Sequence, residues 1–243
     1  MKSKIKLLSF LFLIQIPFMA HAQTVEVVDQ LQPENLSSTL QILIFLTFLT
    51  LLPSIVLTMT SFTRTIIVFS MLRNGLGTQT TPPNQVLVGL SLFLTAFIMS
   101  PVLSDIKEQA IDPYVEGKIN YATFMDKAQD PLKEFMLSHT RTKDLELFVE
   151  LGEADVPEKV EDLSLTVIIP SFIVSELRTA FEMGFLIFIP FVLIDFIVSS
   201  LLMSMGMFML PPSMISLPVK ILIFVMVDGW HLIVETIAES FLR

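Results

Sequence analysis

The sequence predicts an all-α membrane protein in which two proline-kinked helical hairpins flank a small acidic helical insert outside the cytoplasm. Three observations predict this class. Of the 243 residues, 53% are apolar and 16% are charged, and the mean hydropathy is +0.72. The apolar residues form four long runs, which is more than one soluble core of this size requires. Most of the excess charge lies in the segment between the second and third runs.

The amino terminus has the pattern of a cleavable signal peptide, residues 1–22. Three lysines precede a short apolar stretch, and Ala20-His21-Ala22 has the small-x-small pattern that signal peptidase recognises. The sequence therefore predicts a new amino terminus at Gln23 and an extracytoplasmic segment over residues 23–40. The alternative, a short first membrane helix, is less favoured because the stretch is short and contains Gln15 and Pro17.

The apolar runs pair into two hairpins, residues 41–104 and residues 185–243. Each hairpin turn carries a Pro-Pro dipeptide, which cannot continue a helix. The first helix of each hairpin also contains a proline, Pro53 or Pro190, which predicts a kink. The runs cover residues 40–72, 86–103, 185–205 and 214–237, and the dipeptides are Pro82-Pro83 and Pro211-Pro212.

An acidic insert, residues 105–165, and an amphipathic connecting helix, residues 166–184, separate the hairpins. From Asp105 to Asp162 there are fifteen acidic and seven basic residues, a net charge of −8. Within the insert we expect one helix to begin at Asp130-Pro131 and another over residues 143–151, ending at Gly152. The acidity argues against a nucleic-acid partner.

Charge also predicts the topology. Arg64 and Arg73 lie near the first turn and Lys220 follows the second turn, whereas the insert is acidic. Positive charge marks the cytoplasmic side, so both turns should face inward and the insert outward. An exported amino terminus gives the same orientation.

The sequence offers little for catalysis or cofactor binding. It has no cysteine and three histidines, His21, His139 and His231. It also lacks a His-Glu-x-x-His run, so we expect no enzyme, no metal site and no cofactor. His139 lies on the apolar face of the predicted insert helix, where packing is the better interpretation.

Two acidic residues interrupt apolar segments. Asp195 and Asp228 lie in apolar surroundings, where an unpaired charge costs about 3 kcal/mol. Lys220 and Arg64 are candidate partners. One interpretation is an ion relay in a proton-coupled transporter. The other, which we favour because two isolated acids make a poor relay, is ion pairing or a watery lumen formed by several subunits.

The second turn has methionine at alternate positions, at residues 203, 205, 207 and 209. In an extended loop this spacing directs the side chains to one side, whereas on a helix it would scatter them. Gly206 and the following prolines favour a non-helical stretch. Flexible methionines there either close a passage or fill gaps in the core.

Several motifs resemble the FliP family of flagellar type III export-gate proteins, over essentially the whole mature chain. They are SELRTAF at residues 175–181, LPVKILIFVMVDGW at residues 217–230, RTIIV at residues 64–68 and TTPPNQ at residues 80–85. Glu176, Pro218, Gly229 and Trp230 belong to this signature. Injectisome homologues share the pattern, but the signal peptide and the 206–212 turn fit the flagellar branch better.

The resemblance implies a core pore-forming subunit of the export gate in the bacterial inner membrane, within the flagellar basal body. Several copies would form a ring with FliQ and FliR, next to FlhB and FlhA, and unfolded flagellar subunits would pass through it. The family's ring stands largely above the bilayer plane. The positions matching its methionine-rich closing loop are Met207, Phe208 and Met209. Phe208 replaces a methionine that many relatives carry. Glu182 occupies a position where the resemblance leads us to expect a less acidic residue.

Overall fold

The computed structural model describes residues 36–78, 80–152, 160 and 163–242, and within them the chain forms helices and no β-strand. The predicted signal peptide and the cleavage before Gln23 lie outside these residues. The chain divides into two units, Met1–Pro53 and Ser54–Arg243. The helices are α1 Leu36–Met59, α2 Phe62–Leu76, α3 Asn84–Ile98, α4 Ser100–Ile106, α5 Asp112–Val115, α6 Tyr121–Ser138, α7 Thr142–Leu151, α8 Leu165–Ser204, α9 Pro212–Met226 and α10 Gly229–Leu242, with a π-helical turn Lys107–Ile111 between α4 and α5.

The described part of the first unit is the beginning of α1. Its large apolar side chains, such as Leu43, Phe45 and Leu49, are more than half exposed. The hydroxyl of Thr47 donates a hydrogen bond to the carbonyl oxygen of Leu43 within the helix, at 2.8 Å. This segment therefore presents apolar surface that suits lipid or another protein.

In the second unit, α8 is one continuous helix of 40 residues. It begins at Leu165 and runs through Pro170 and Pro190, and Ser164 caps it because its hydroxyl accepts a hydrogen bond from the amide of Thr166. The predicted connecting helix, residues 166–184, and the first helix of the second hairpin are thus a single element. Gly184, at the predicted boundary, lies inside this helix, and a Cβ there would overlap the Met71 side chain of α2.

Among the described residues, α8 is the one unbroken helix that is long and apolar enough to cross a membrane. Three other candidates are pairs of shorter helices bent by 78°, 54° and 64°, which would bring the number to four if each pair counts as one span. Within the described residues the protein is therefore all-helical, with at least one helix able to cross a membrane, as the sequence predicts for this class.

The bends show that three of the predicted apolar runs are broken. At the first break, Thr60 donates its hydroxyl to Val56 O and accepts from the amide of Phe62, so side-chain bonds replace the helical ladder. The second break precedes Pro101, which has no amide hydrogen to continue α3. At the third break Asp228 has φ +52°, the left-handed conformation that ends a helix.

The core of the second unit forms where α2 packs against α8. Val68, Phe69 and Leu72 of α2 are fully buried, as is Ile168 of α8, and Phe172 is 1% exposed. Burying each such side chain contributes about 1.5–3 kcal/mol. This interface fixes the positions of the polar residues described below.

The insert contains two of the helices expected from the sequence, with one different start. The predicted start of α6 at Asp130-Pro131 is wrong. The helix begins at Tyr121 because the Asn120 side chain caps it, accepting a hydrogen bond from the Thr123 amide at 2.9 Å. Pro131 lies inside the helix and is buried. α7 begins one residue before its predicted start and ends at Gly152 as predicted.

Candidate functional site

The turn between α8 and α9 is non-helical, and its backbone is shaped by Gly206. At the end of α8, the amide of Met205 donates a hydrogen bond to the carbonyl of Leu201 at 3.1 Å. The amide of Met207 donates to the carbonyl of Leu202 at 3.0 Å. Gly206 has φ +75°, a conformation that glycine adopts without steric cost. A new helix then begins at Pro212, whose fixed φ suits a first helical position.

The structure places all three predicted gate residues in this turn. Met209 is 98% exposed and Phe208 is 79% exposed, while Met207 is half-buried. A Cβ added at Gly206 would meet no atom within 4 Å, so the turn is open to its surroundings. Within one chain, Phe208 and Met209 project from the fold, whereas Met207 is partly packed into it.

Below the turn, the structure brings Lys220 and Asp195 together. Nζ of Lys220 donates to Oδ2 of Asp195 at 2.6 Å and to the carbonyl oxygen of Gly75 at 3.1 Å. The Gly75 carbonyl is in the last turn of α2, where the backbone carbonyls lack helical partners. The lysine therefore links α9 to α8 and satisfies the end of α2, where the helix dipole favours a positive charge.

A cavity of about 210 Å³ lies beside this ion pair. Gly77, which ends α2, and Pro212 and Ser213, which begin α9, are among the residues that line it. The ion pair thus lies where the two turns meet, at the base of the exposed methionine turn.

Arg64 does not neutralise either of the acids that interrupt the apolar runs. Its guanidinium forms a two-pronged ion pair with Glu176, with Nε donating to Oε2 at 2.9 Å and Nη2 donating to Oε1. Both side chains are almost completely buried. Nη1 also donates to the carbonyl and hydroxyl of Ser240, and the guanidinium carbon lies 3.7 Å from the ring centre of Phe241.

Sequence reasoning named Arg64 and Glu176 separately but missed that they pair. A signal was present, because Glu176 lies between Phe172 and Ala180 on the buried face of α8. A carboxylate on such a face requires a partner. Only the fold shows which of the cations supplies it.

Asp228 lies in a different environment from the one expected. It is exposed, at the break between α9 and α10, and its carbonyl accepts from the amide of Leu232 in the first turn of α10. Among the described side chains, none forms an ion pair with it. Its local role is to turn the chain, because aspartate tolerates the left-handed conformation better than most residues.

The remaining signature residues pack around that break. A Cβ on Gly229 would lie 2.2 Å from the Phe224 ring, so only glycine fits without a shift. Trp230 packs edge-on against Phe224, with ring centres 5.6 Å apart, and also contacts Phe69. Pro218 lies within α9 and leaves the Met214 carbonyl without its helical donor.

No group of three or more potential metal ligands occurs among the residues that the structure describes. The arrangement consists instead of a long apolar helix, bent helix pairs with exposed apolar surfaces, two ion pairs and an open apolar turn. These features define a helical integral membrane protein whose candidate site is an exposed apolar turn.

The chain belongs to the FliP family, whose family model matches residues 45–237. It is 54% identical over 209 residues to the flagellar biosynthetic protein FliP of Bacillus subtilis strain 168, covering 86% of this chain and 95% of that protein. The FliP of Pectobacterium carotovorum subsp. carotovorum is 50% identical over 203 residues, 84% of this chain and 79% of that protein. The FliP of Buchnera aphidicola subsp. Acyrthosiphon pisum is 48% identical over 240 residues, 97% of this chain and 63% of that protein.

The family match confirms the resemblance indicated by the sequence motifs. The function it supports is that of a component of the flagellar type III export gate, and the transporter and injectisome alternatives are not favoured. The relatives named above are flagellar proteins.

Proposed function

We propose that this chain is a pore-forming subunit of the flagellar export gate and that Met207, Phe208 and Met209 close the pore. Several copies form a ring with FliQ, FliR, FlhB and FlhA type proteins in the inner membrane. Unfolded flagellar subunits pass through its centre. The acidic insert lies on the periplasmic side, an orientation supported by the positive charge near both turns.

The observation that carries the proposal is that the methionine turn is exposed while the helices next to it are held together by an ion pair. Met209 and Phe208 are largely exposed, whereas the hydrogen bonds of Lys220 tie three helices together. Methionine is flexible and apolar, so a ring of such turns can exclude water and ions yet yield to a polypeptide.

The exposed apolar surface of the helices supports an assembly. Phe93, Phe97, Phe185 and Phe196 are each more than 60% exposed on α3 and α8. Apolar surface of this extent needs lipid or protein to cover it. Copies of the chain and small membrane proteins would supply that cover.

The test is to shorten Met207 and Met209 to alanine together and measure ion leakage through assembled complexes. Alanine removes bulk without adding charge, so we expect assembly to be retained, with increased membrane conductance and slower growth. Met226→Ala is the matched control, since Met226 is 76% exposed but lies at the other end of α9. Assembled complexes that remain tight with both methionines shortened would contradict the gate. If the double variant does not assemble, the single variants are measured in the same way.

A further inference from the structure

The turn between α8 and α9 concentrates the sulfur atoms of this chain. The sequence contains no cysteine, so its 14 methionines hold all of its sulfur. Five of these methionines lie close together around the turn, at positions 203, 205, 207, 209 and 214. An oxidant that attacks sulfur therefore meets thioethers only, and no thiol competes with them.

Exposure separates the thioethers of the turn from those of the core. Met209 is almost completely exposed, Met205 is 71% exposed and Met214 is 68% exposed. Met99 and Met136, in contrast, are buried in the core. An oxidant dissolved in water reaches the sulfur atoms of the turn without any opening of the fold, whereas it reaches the core sulfur atoms only through local unfolding.

We propose that this turn is a site of methionine oxidation by two-electron oxygen donors, namely peroxides and hypohalous acids. With hydrogen peroxide, a lone pair of the thioether sulfur attacks one oxygen, and the O–O bond breaks as the S–O bond forms. The hydroxide that leaves takes the proton from the new S–OH group, which yields one sulfoxide and one water molecule. The sulfur loses two electrons and the peroxide gains them, so the step needs no other reactant.

Oxidation reverses the property that makes the turn suitable for closing a pore. A thioether is apolar and a weak hydrogen-bond acceptor, whereas a sulfoxide is polar and binds water. An apolar constriction blocks ions because it excludes water, so a ring of oxidised turns stays hydrated and conducts. This consequence rests on the proposed function, because the turns must form the closure. The chemical modification of the turn does not depend on it.

The experiment treats assembled complexes of the full-length chain in lipid vesicles with hydrogen peroxide and measures two quantities over time. Peptide mapping by mass spectrometry gives the rate at which each methionine gains one oxygen, and ion flux gives the conductance. We expect Met205 and Met209 to be oxidised more than about tenfold faster than Met99 and Met136. Conductance should rise with the same time course. Methionine sulfoxide reductases supplied with dithiothreitol should return it to its starting value.

Met226 provides the matched control, because it is as exposed as Met205 but lies at the other end of α9. Met226→Leu should keep the full conductance response to peroxide, whereas Met209→Leu should reduce it. The oxidation rates are measured on the unaltered chain and need no variant. The inference is overturned if the turn methionines are oxidised no faster than Met136, if the response is lost in Met226→Leu, or if oxidised turns remain tight.

The variant with both Met207 and Met209 shortened to alanine separates failure of this inference from failure of the gate. If oxidised complexes remain tight but the alanine variant leaks, the gate stands and only the oxidation inference is overturned. If both remain tight, the gate is contradicted as well.

Discussion

Lys220 and Asp195 form an ion pair in which the lysine side chain is 6% exposed and the aspartate side chain is 44% exposed. The two partners therefore depend on each other unequally. The carboxylate keeps part of its hydration without the lysine, whereas the ammonium would keep only the Gly75 carbonyl. Loss of the acid should be the more damaging change at this site.

Asp195→Asn should impair assembly. The substitution keeps the size of the side chain but leaves the buried ammonium without its counter-ion, at a cost of roughly 1.5–3 kcal/mol. We expect a lower unfolding temperature and less assembled complex, measured by thermal unfolding and native mass measurement. Asp228→Asn is the control, because the exposed Asp228 has no ion-pair partner among the described residues. Normal assembly together with lost export and an altered pH dependence would instead favour a proton relay.

Glu176→Gln and Arg64→Lys should each destabilise the fold strongly. Glu176→Gln leaves the buried guanidinium without its counter-ion, which costs about 3–5 kcal/mol, whereas Arg64→Lys keeps the positive charge. Lysine at position 64 would lose the two-pronged geometry and the stacking on Phe241. Denaturant unfolding of the purified chain measures the loss. Arg64→Met and Glu176→Leu made together should be less destabilising than either of these two changes made alone, and a double variant whose effect equals their sum would contradict the pairing.

Gly229→Ala should be destabilising even though alanine is the better helix former. The new methyl group would overlap the Phe224 ring, which costs about 1–3 kcal/mol unless the ring moves. Gly89→Ala is the matched control within α3, since a Cβ there would meet no atom within 4 Å and should be neutral or slightly stabilising. Adding Phe224→Leu should partly restore Gly229→Ala. Equal thermal stability of the two alanine variants would show that the close approach is unimportant.

The assembled protein should begin at Gln23. The basic and apolar leader followed by Ala20-His21-Ala22 predicts removal of residues 1–22 by signal peptidase. Amino-terminal sequencing of protein purified from membranes measures this directly. Ala22→Leu, which enlarges the residue before the cut, should leave the leader attached. Finding Met1 on the unaltered, assembled protein would show that the leader is a membrane helix.

The sequence predicted the helical class because long apolar runs leave few alternatives. It also gave Lys220 and Arg64 as candidate partners of Asp195 and Asp228, since a buried charge requires an opposite one, but it did not assign the pairs, of which the structure shows Lys220 with Asp195. It could not predict the bend at Thr60 or at Asp228, because each depends on a single hydroxyl or on one backbone conformation. The pairing of Arg64 with Glu176 could not be predicted from the sequence either. The two residues lie 112 positions apart, and only the packing of α2 on α8 brings them together.

The length of α8 limits where its two ends can lie. At 1.5 Å per residue, its 40 residues extend about 60 Å, roughly twice the hydrocarbon thickness of a bilayer. Fitting the whole helix within that layer would require a tilt of about 60°, beyond the 0–40° seen for membrane helices. The charged residues Glu176, Arg178 and Glu182 all lie in its first half, and the second half contains Asp195 as its one charge. At least one end of α8 must therefore lie in water or be enclosed by protein. Because the helix is continuous, a displacement of that end can be transmitted to the other end without passing through a loop.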